Sequence, residues 1–183
     1  MIKVALDAMG GDHAPAQIIK GAIEAVNQLN VHVILVGDES VIKKQLDEDH
    51  KNISIVHANE SILMDESPLQ AYRKKKESSI HVGLQLVKDK KAQAFVSAGN
   101  TGAVMSCSLF ILGRIPGVDR PALASVIPTK KGHALMLDMG SNVDSKPIHL
   151  EQYAVMGNIP TALMHAENKK MIKDIKTLNQ LFR

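Results

Sequence analysis

Short apolar runs alternate with longer amphipathic stretches along this chain, and the apolar runs tend to stop at glycine, aspartate or serine. Ile2–Leu6, Val31–Val36, Ile53–His57 and Ala92–Ser97 have the length and character of buried strands. Between them the spacing changes. Ile18, Ile19, Ala22, Ile23, Val26 and Leu29 recur at a helical interval, which predicts a helix from Pro15 with Asp12 as a candidate cap. Glu39–Glu48 predicts a short amphipathic helix, and Ser67–Pro68 and Ser78 or Ser79 open two more. Ala103–Leu112 predicts a buried helix of small and apolar residues. The Pro- and Gly-punctuated loop Arg114–Pro121 precedes two further apolar runs, Leu123–Ile127 and Ala134–Leu137. Pro147 opens a helix to about Met156. From Pro160 the chain lacks glycine and predicts one or two amphipathic helices, with Ile172, Ile175, Leu178, Leu181 and Phe182 on one face. Strands alternating with helices imply an α/β fold with a mainly parallel sheet covered on both faces.

Composition narrows the functional classes. The 183 residues suffice for one domain with a sizeable core. Aromatics make up only 3%, with no Trp, which counts against base-stacking and hence against a single-stranded nucleic-acid binder. Net charge is +3, unevenly spread: residues 1–60 carry −4, residues 61–120 carry +4 and residues 121–183 carry +3. Such a distribution suits an acidic partner or a phosphorylated ligand better than a long DNA footprint. The single Cys107 suggests a reducing compartment, and no apolar run approaches a membrane span. A cytoplasmic location is expected.

Three apolar runs end alike: LDAMGGD at 6–12, VSAGNTG at 96–102 and LDMGSNVD at 137–144 each pass from strand to glycine to small polar residues. In open parallel sheets, ligands gather beyond the carboxyl ends of the strands. Glycine lets backbone N–H groups approach a ligand, and a following helix N-terminus adds unpaired donors. The middle loop is the best candidate, since Asn100-Thr101-Gly102 runs directly into a helix. Asn100 or Thr101 capping that helix is the equally weighted alternative. Asp7, Asp12, Asp138 and Asp144 lie in or beside these loops, with loop hydrogen bonding favoured over metal or proton chemistry for at least two of them. Lys146 and Arg120 are positive groups near the same edge, while Arg73-Lys74-Lys75-Lys76 is either a solvated helix face or a dock for an acidic protein. Cys107 reads as a small hydrophobe. No G-x-G-x-x-G fingerprint, Walker loop or G-x-S-x-G elbow occurs, so those chemistries have no support.

DAMGGDHAP (7–15), VGDE (36–39), RKKKESS (73–79), FVSAGNTGAVM (95–105), FILGRIPGVDRPALA (110–124) and LDMGSNVDSKPIHL (137–150) together resemble PlsX, the phosphate acyltransferase family of bacterial phospholipid synthesis. The resemblance implies a three-layer α/β/α sandwich of the isocitrate/isopropylmalate dehydrogenase type, truncated here. It implies transfer of a fatty acyl group from acyl carrier protein to inorganic phosphate, with no cofactor and no metal. A membrane glycerol-3-phosphate acyltransferase would consume the acyl phosphate. A cytoplasmic homodimer with at most peripheral membrane contact is implied too. Carried over by position, Asn100, Lys146 and Asp144 are catalytic candidates. Gly10, Gly11, Asp12, Gly99, Thr101, Gly102 and Asn142 are candidates for binding phosphate or substrate. Arg73, Lys74, Lys75, Lys76, Arg114 and Arg120 are candidates for docking acyl carrier protein.

Family chains are considerably longer. The matching pattern runs from residue 2 to about Gly157, so residues 1–157 are read as the N-terminal half of the family fold and residues 158–183 as a divergent helical tail. Weak or absent catalysis is expected unless another chain completes the fold. Two competing readings remain: a phosphotransacetylase-like enzyme using coenzyme A thioesters, and a truncated module that binds phosphate or acyl carrier protein without turnover.

Overall fold

The computed structural model describes residues 1–46, 50–130, 132–139 and 144–166. These divide into two compact units, the first Met1–Gly113 and the second beginning at Arg114.

The first unit alternates strand and helix: β1 (Ile2–Asp7), α1 (Ala16–Gln28), β2 (Val31–Gly37), α2 (Glu39–Gln45), β3 (Ile53–His57), α3 (Pro68–Lys74), α4 (Ser79–Lys88), β4 (Ala94–Val96) and α5 (Thr101–Ile111). The four strands form one parallel sheet in the order β3-β2-β1-β4. The two-residue period of the strands sorts their side chains onto two faces. Leu6, Val33 and Leu35 pack with Ile19 and Ala22 of α1 and Ile42 of α2. Ala5, Ile34 and Val36 pack with Leu86 of α4 on the other face. Helices therefore cover both faces, and a further cluster of Ile62, Ala71, Ile80, Leu84, Ala103, Cys107 and Ile111 joins α3, α4 and α5.

Local signals explain most boundaries. Asp38 caps α2 by accepting from the N–H groups of Ser40 and Val41, and the Ser40 contacts hold its carboxyl below the usual range. Ser78 caps α4. The expected Asp12 cap does not form: α1 starts after Pro15 with no side-chain cap. The residue at that position already has a fixed φ and no N–H to satisfy, so less capping is required. The Ala92–Ser97 strand is shorter than expected, because only Ala94–Val96 pair with β1. The helix expected to be buried starts at Thr101 and buries one side only, with Ala103, Cys107 and Ile111 inside and Phe110 and Leu112 exposed.

Burial raises the Cys107 thiol to about 11, so it behaves as the small hydrophobe its neighbours suggest. His81 stacks on Tyr72, which also stacks on Phe110. Its Nδ1 is buried without a partner among the described residues, and burial, aided by the Lys76 charge, lowers its pKa from the ordinary 6.5. The unfolded chain thus binds the proton more readily. Stability is expected to fall as pH drops from about 7.5 through the ordinary histidine value to about 5.5. His81→Gln should flatten that decline, as read from urea midpoints at the two pH values.

The second unit contains β5 (Ala124–Thr129), β6 (Gly132–Leu137) and α6 (Pro147–Ala166), with α6 packed against β6. β5 and β6 form a separate antiparallel pair. Only two residues separate them, too few for the crossover a parallel pair needs. The expectation that all three glycine loops cap strands of one parallel sheet is corrected accordingly: the third loop follows a hairpin. The Pro147 helix extends past Met156, to Ala166. The expected end of the Glu39–Glu48 helix and the amphipathic face from Ile172 to Phe182 lie outside the described residues. Among the described residues, no helix is long and apolar enough to cross a membrane.

Candidate functional site at the carboxyl edge of the sheet

Strand order places the site. β2 lies on one side of β1 and β4 on the other, so the order reverses between β1 and β4. The chain after β1 passes to α1 on one face, and the chain after β4 passes to α5 on the opposite side. Such a switch point opens a crevice beyond the carboxyl ends of the two strands. The loops Ala8–Pro15 and Ser97–Asn100 leave from that point.

The two loops touch. A Cβ on Gly10 would strike Asp7 Oδ2 and come within 2.9 Å of Gly99 N. A Cβ on Gly99 would lie 3.2 Å from Gly10 Cα. Only paired glycines allow this approach of backbone to backbone. Gly11 has φ +105, a conformation other residues rarely adopt, and it abuts Ala98. Asp7 is fully buried beneath them: its Oδ2 accepts the Ser97 hydroxyl at 2.7 Å and its Oδ1 accepts Met9 N–H at 3.0 Å. Ser97 Oγ in turn accepts Gly99 N–H at 3.0 Å. The N–H groups of Gly10, Gly11 and Asp12, and of Thr101 and Gly102 at the start of α5, have no partner among the described residues. Two sets of N–H groups without a partner among the described residues thus lie on the two loops at the carboxyl edge of the sheet, and α5 adds the partial positive charge of its N-terminus.

Asn100 is committed elsewhere. Its Oδ1 caps α5 by accepting Ala103 N–H at 3.0 Å. Its Nδ2 donates to the carbonyls of Leu63, Met64 and Glu66 at 3.1, 3.1 and 3.0 Å. The capping alternative describes its side chain, which also ties the 61–66 loop to the helix. Lys75 reinforces that loop, donating to Ser61 O at 2.8 Å and pairing with Glu66 at 2.5 Å. The Leu63 N–H and Lys75 together hold the Glu66 carboxyl below its ordinary value. Gly102 leaves room for Pro68, whose Cγ would lie 2.6 Å from an added Cβ.

The remaining expected residues fall in three places. Asp12 is exposed on the first loop, with Thr101 exposed at the α5 start. Arg73, Lys74 and Lys76 are exposed, and Lys76 Nζ stands 4.4 Å over the Tyr72 ring, whereas Lys75 turns inward as just described. In the second unit, Arg114 donates to the Asp119 carbonyl at 2.7 Å and Arg120 to the Asp144 carbonyl at 3.5 Å. Asp144 and Lys146 are exposed, and the Lys146 N–H donates to buried His149 Nδ1 at 3.1 Å. Asn142 lies outside the described residues. The first unit thus unites Gly10, Gly11, Asp12, Gly99, Thr101 and Gly102. No group of three or more His, Cys, Asp or Glu side chains that would hold a metal occurs among the described residues.

The sequence singles out no role for Ser97 and leaves Asp7 between loop hydrogen bonding and metal or proton chemistry; its bonds to Met9 and Ser97 are of the first kind. Register supplies the missing signal: Leu6 pairs with Val96, so Asp7 and Ser97 stand side by side one step further on.

Comparison with known proteins agrees with the loop motifs. The family model described as "Fatty acid synthesis protein" matches residues 2–170. The phosphate acyltransferase of Desulforamulus reducens is 60% identical over 161 residues, which cover 87% of this chain and 48% of that protein. The phosphate acyltransferase of Oceanobacillus iheyensis is 52% identical over 159 residues, covering 86% of this chain and 48% of that protein. That of Desulfitobacterium hafniense strain Y51 is 50% identical over 174 residues, covering 93% and 52%. The chain therefore spans about half the length of the curated relatives it matches. With most of its residues inside the family match and its loops carrying the family motifs, the chain belongs to the fatty acid synthesis protein family, the PlsX phosphate acyltransferases.

Proposed function

We propose that this chain holds inorganic phosphate between the Gly10–Asp12 and Thr101–Gly102 backbones for acyl transfer from acyl carrier protein. The observation that carries this reading is the pair of touching glycine loops at the β1/β4 switch point, with N–H groups that have no partner among the described residues. Phosphate is the nucleophile. One of its oxygens attacks the thioester carbonyl carbon, the C–O bond forms and the C–S bond breaks. The proton of hydrogen phosphate passes to the departing thiolate, giving acyl phosphate and a free thiol. The work asked of the protein is positioning and charge stabilisation rather than covalent catalysis.

Within this reading Asn100 is a positioning residue, since its side chain is spent on the helix cap and three carbonyls. Lys146 and Asp144 stay catalytic candidates, and Asn142 a binding candidate, on the family motif LDMGSNVDSKPIHL alone. Arg73, Lys74, Lys76, Arg114 and Arg120 steer the acidic carrier protein, in keeping with the positive excess of residues 61–120. A cytoplasmic homodimer, delivering acyl phosphate to a membrane glycerol-3-phosphate acyltransferase, completes the proposal, with residues 1–157 as the family half-fold and 158–183 as its tail.

A second reading, binding without turnover, is favoured by one observation: Asn100 has no amide hydrogen left for a thioester oxyanion. A hydroxylamine-trapping assay for acyl phosphate separates the two. Product from acyl-carrier-protein thioester plus phosphate supports the transferase. Product only from coenzyme A thioesters supports a phosphotransacetylase. Phosphate binding without product supports the module.

A further inference from the structure

Asp7 is the one fully buried carboxylate among the described residues, and the reaction as read above gives it nothing to do. Its partners are all donors, among them the Ser97 hydroxyl at 2.7 Å. A hydroxyl has one proton and two lone pairs. Ser97 gives its proton to Asp7 and one lone pair to Gly99 N–H, so it retains a single lone pair and no donor. Its side chain is half-buried, in the segment joining β4 to Gly99 and Asn100. The backbone N–H donors of the two loops cannot tell phosphate from sulfate, since both are tetrahedral oxyanions. An acceptor can: phosphate carries a hydrogen at neutral pH and sulfate does not.

We propose that Ser97, fixed by Asp7 as a pure acceptor, makes this site selective for a protonated oxyanion. It accepts the P–OH hydrogen of phosphate and sets lone pair against lone pair with sulfate. Asp7 is a positioning residue that acts through Ser97. The inference rests on the phosphate reading of the site and adds the basis of its selectivity.

The test titrates the full chain with inorganic phosphate and, separately, with sulfate by calorimetry near neutral pH. Phosphate is expected to bind at least about tenfold more tightly, the effect of one charge-assisted partner. Ser97→Ala should weaken phosphate by roughly tenfold and bring the phosphate-to-sulfate ratio towards one. Ser97→Thr, which keeps the hydroxyl, should preserve the ratio. Asp7→Asn lets a carboxamide donate to Ser97 and turns the hydroxyl proton outward, so sulfate binding should strengthen. An unchanged ratio in folded Ser97→Ala, or equal affinities in the parent chain, overturns the selectivity inference and leaves the phosphate site standing. If Ser97→Ala does not fold, failure of Asp7→Asn to gain sulfate binding overturns it. A parent chain that binds neither anion removes the phosphate reading itself, and the inference with it.

Discussion

Gly10→Ala is expected to abolish phosphate binding and to destabilise the first unit by more than an ordinary surface substitution. The added methyl would overlap Asp7 Oδ2 and approach Gly99 N to 2.9 Å. Neither neighbour can yield cheaply. Asp7 is fully buried and tied to Met9 and Ser97, and Gly99 N belongs to the opposing backbone. Overpacking of this kind costs about 1–3 kcal/mol even where side chains can move. Here the loops must part, which separates the two sets of free N–H groups from one another. Gly21→Ala is the matched control, because a Cβ there meets nothing within 4 Å, and alanine favours a helix. Phosphate titration and thermal unfolding of both variants read the difference: the control should bind as the parent does and melt no lower.

Asn100→Ala is expected to cost about 2–4 kcal/mol, the sum of a lost helix cap and of carbonyls left without a donor. The cap is the bond to Ala103 N–H, and the carbonyls are those of Leu63, Met64 and Glu66. Exposure of Leu63 and Met64 lets water replace part of the loss, which limits the cost. Asn100→Asp keeps the acceptor for Ala103 but sets a buried carboxylate oxygen against the three carbonyls, so its denaturant midpoint should fall at or below that of Asn100→Ala. A midpoint for Asn100→Asp close to that of the parent would show that the three carbonyl bonds contribute nothing measurable. A loss confined to turnover, with unchanged stability, would return Asn100 to direct catalysis.

The strands of the first unit were legible because parallel strands buried on both faces read as unbroken apolar runs, as VHVILV does before Gly37. The helix from Ser79 was legible from its cap. The hairpin was less so, although the two-residue link between Thr129 and Gly132 carries the decisive constraint. Apolar character alone cannot distinguish a strand that joins the main sheet from one that pairs locally. The glycine loops announced themselves by composition, but their meeting did not. Gly10 and Gly99 are brought together by the β1–β4 pairing, a contact across nearly ninety positions that no local pattern encodes. The same holds for Asn100, whose carbonyl partners lie 34 to 37 residues earlier. Lys75 stood in an unbroken basic run with nothing to separate it from Arg73, Lys74 and Lys76, yet Glu66 draws it inward.

Backbone amide shifts of the full chain during titration with inorganic phosphate test the central claim most directly. The expected result is saturable shifts at Gly10, Gly11, Asp12, Thr101 and Gly102, the five loop residues whose N–H groups have no partner among the described residues. Saturable shifts concentrated elsewhere, or no shift at these amides at millimolar phosphate, would contradict it.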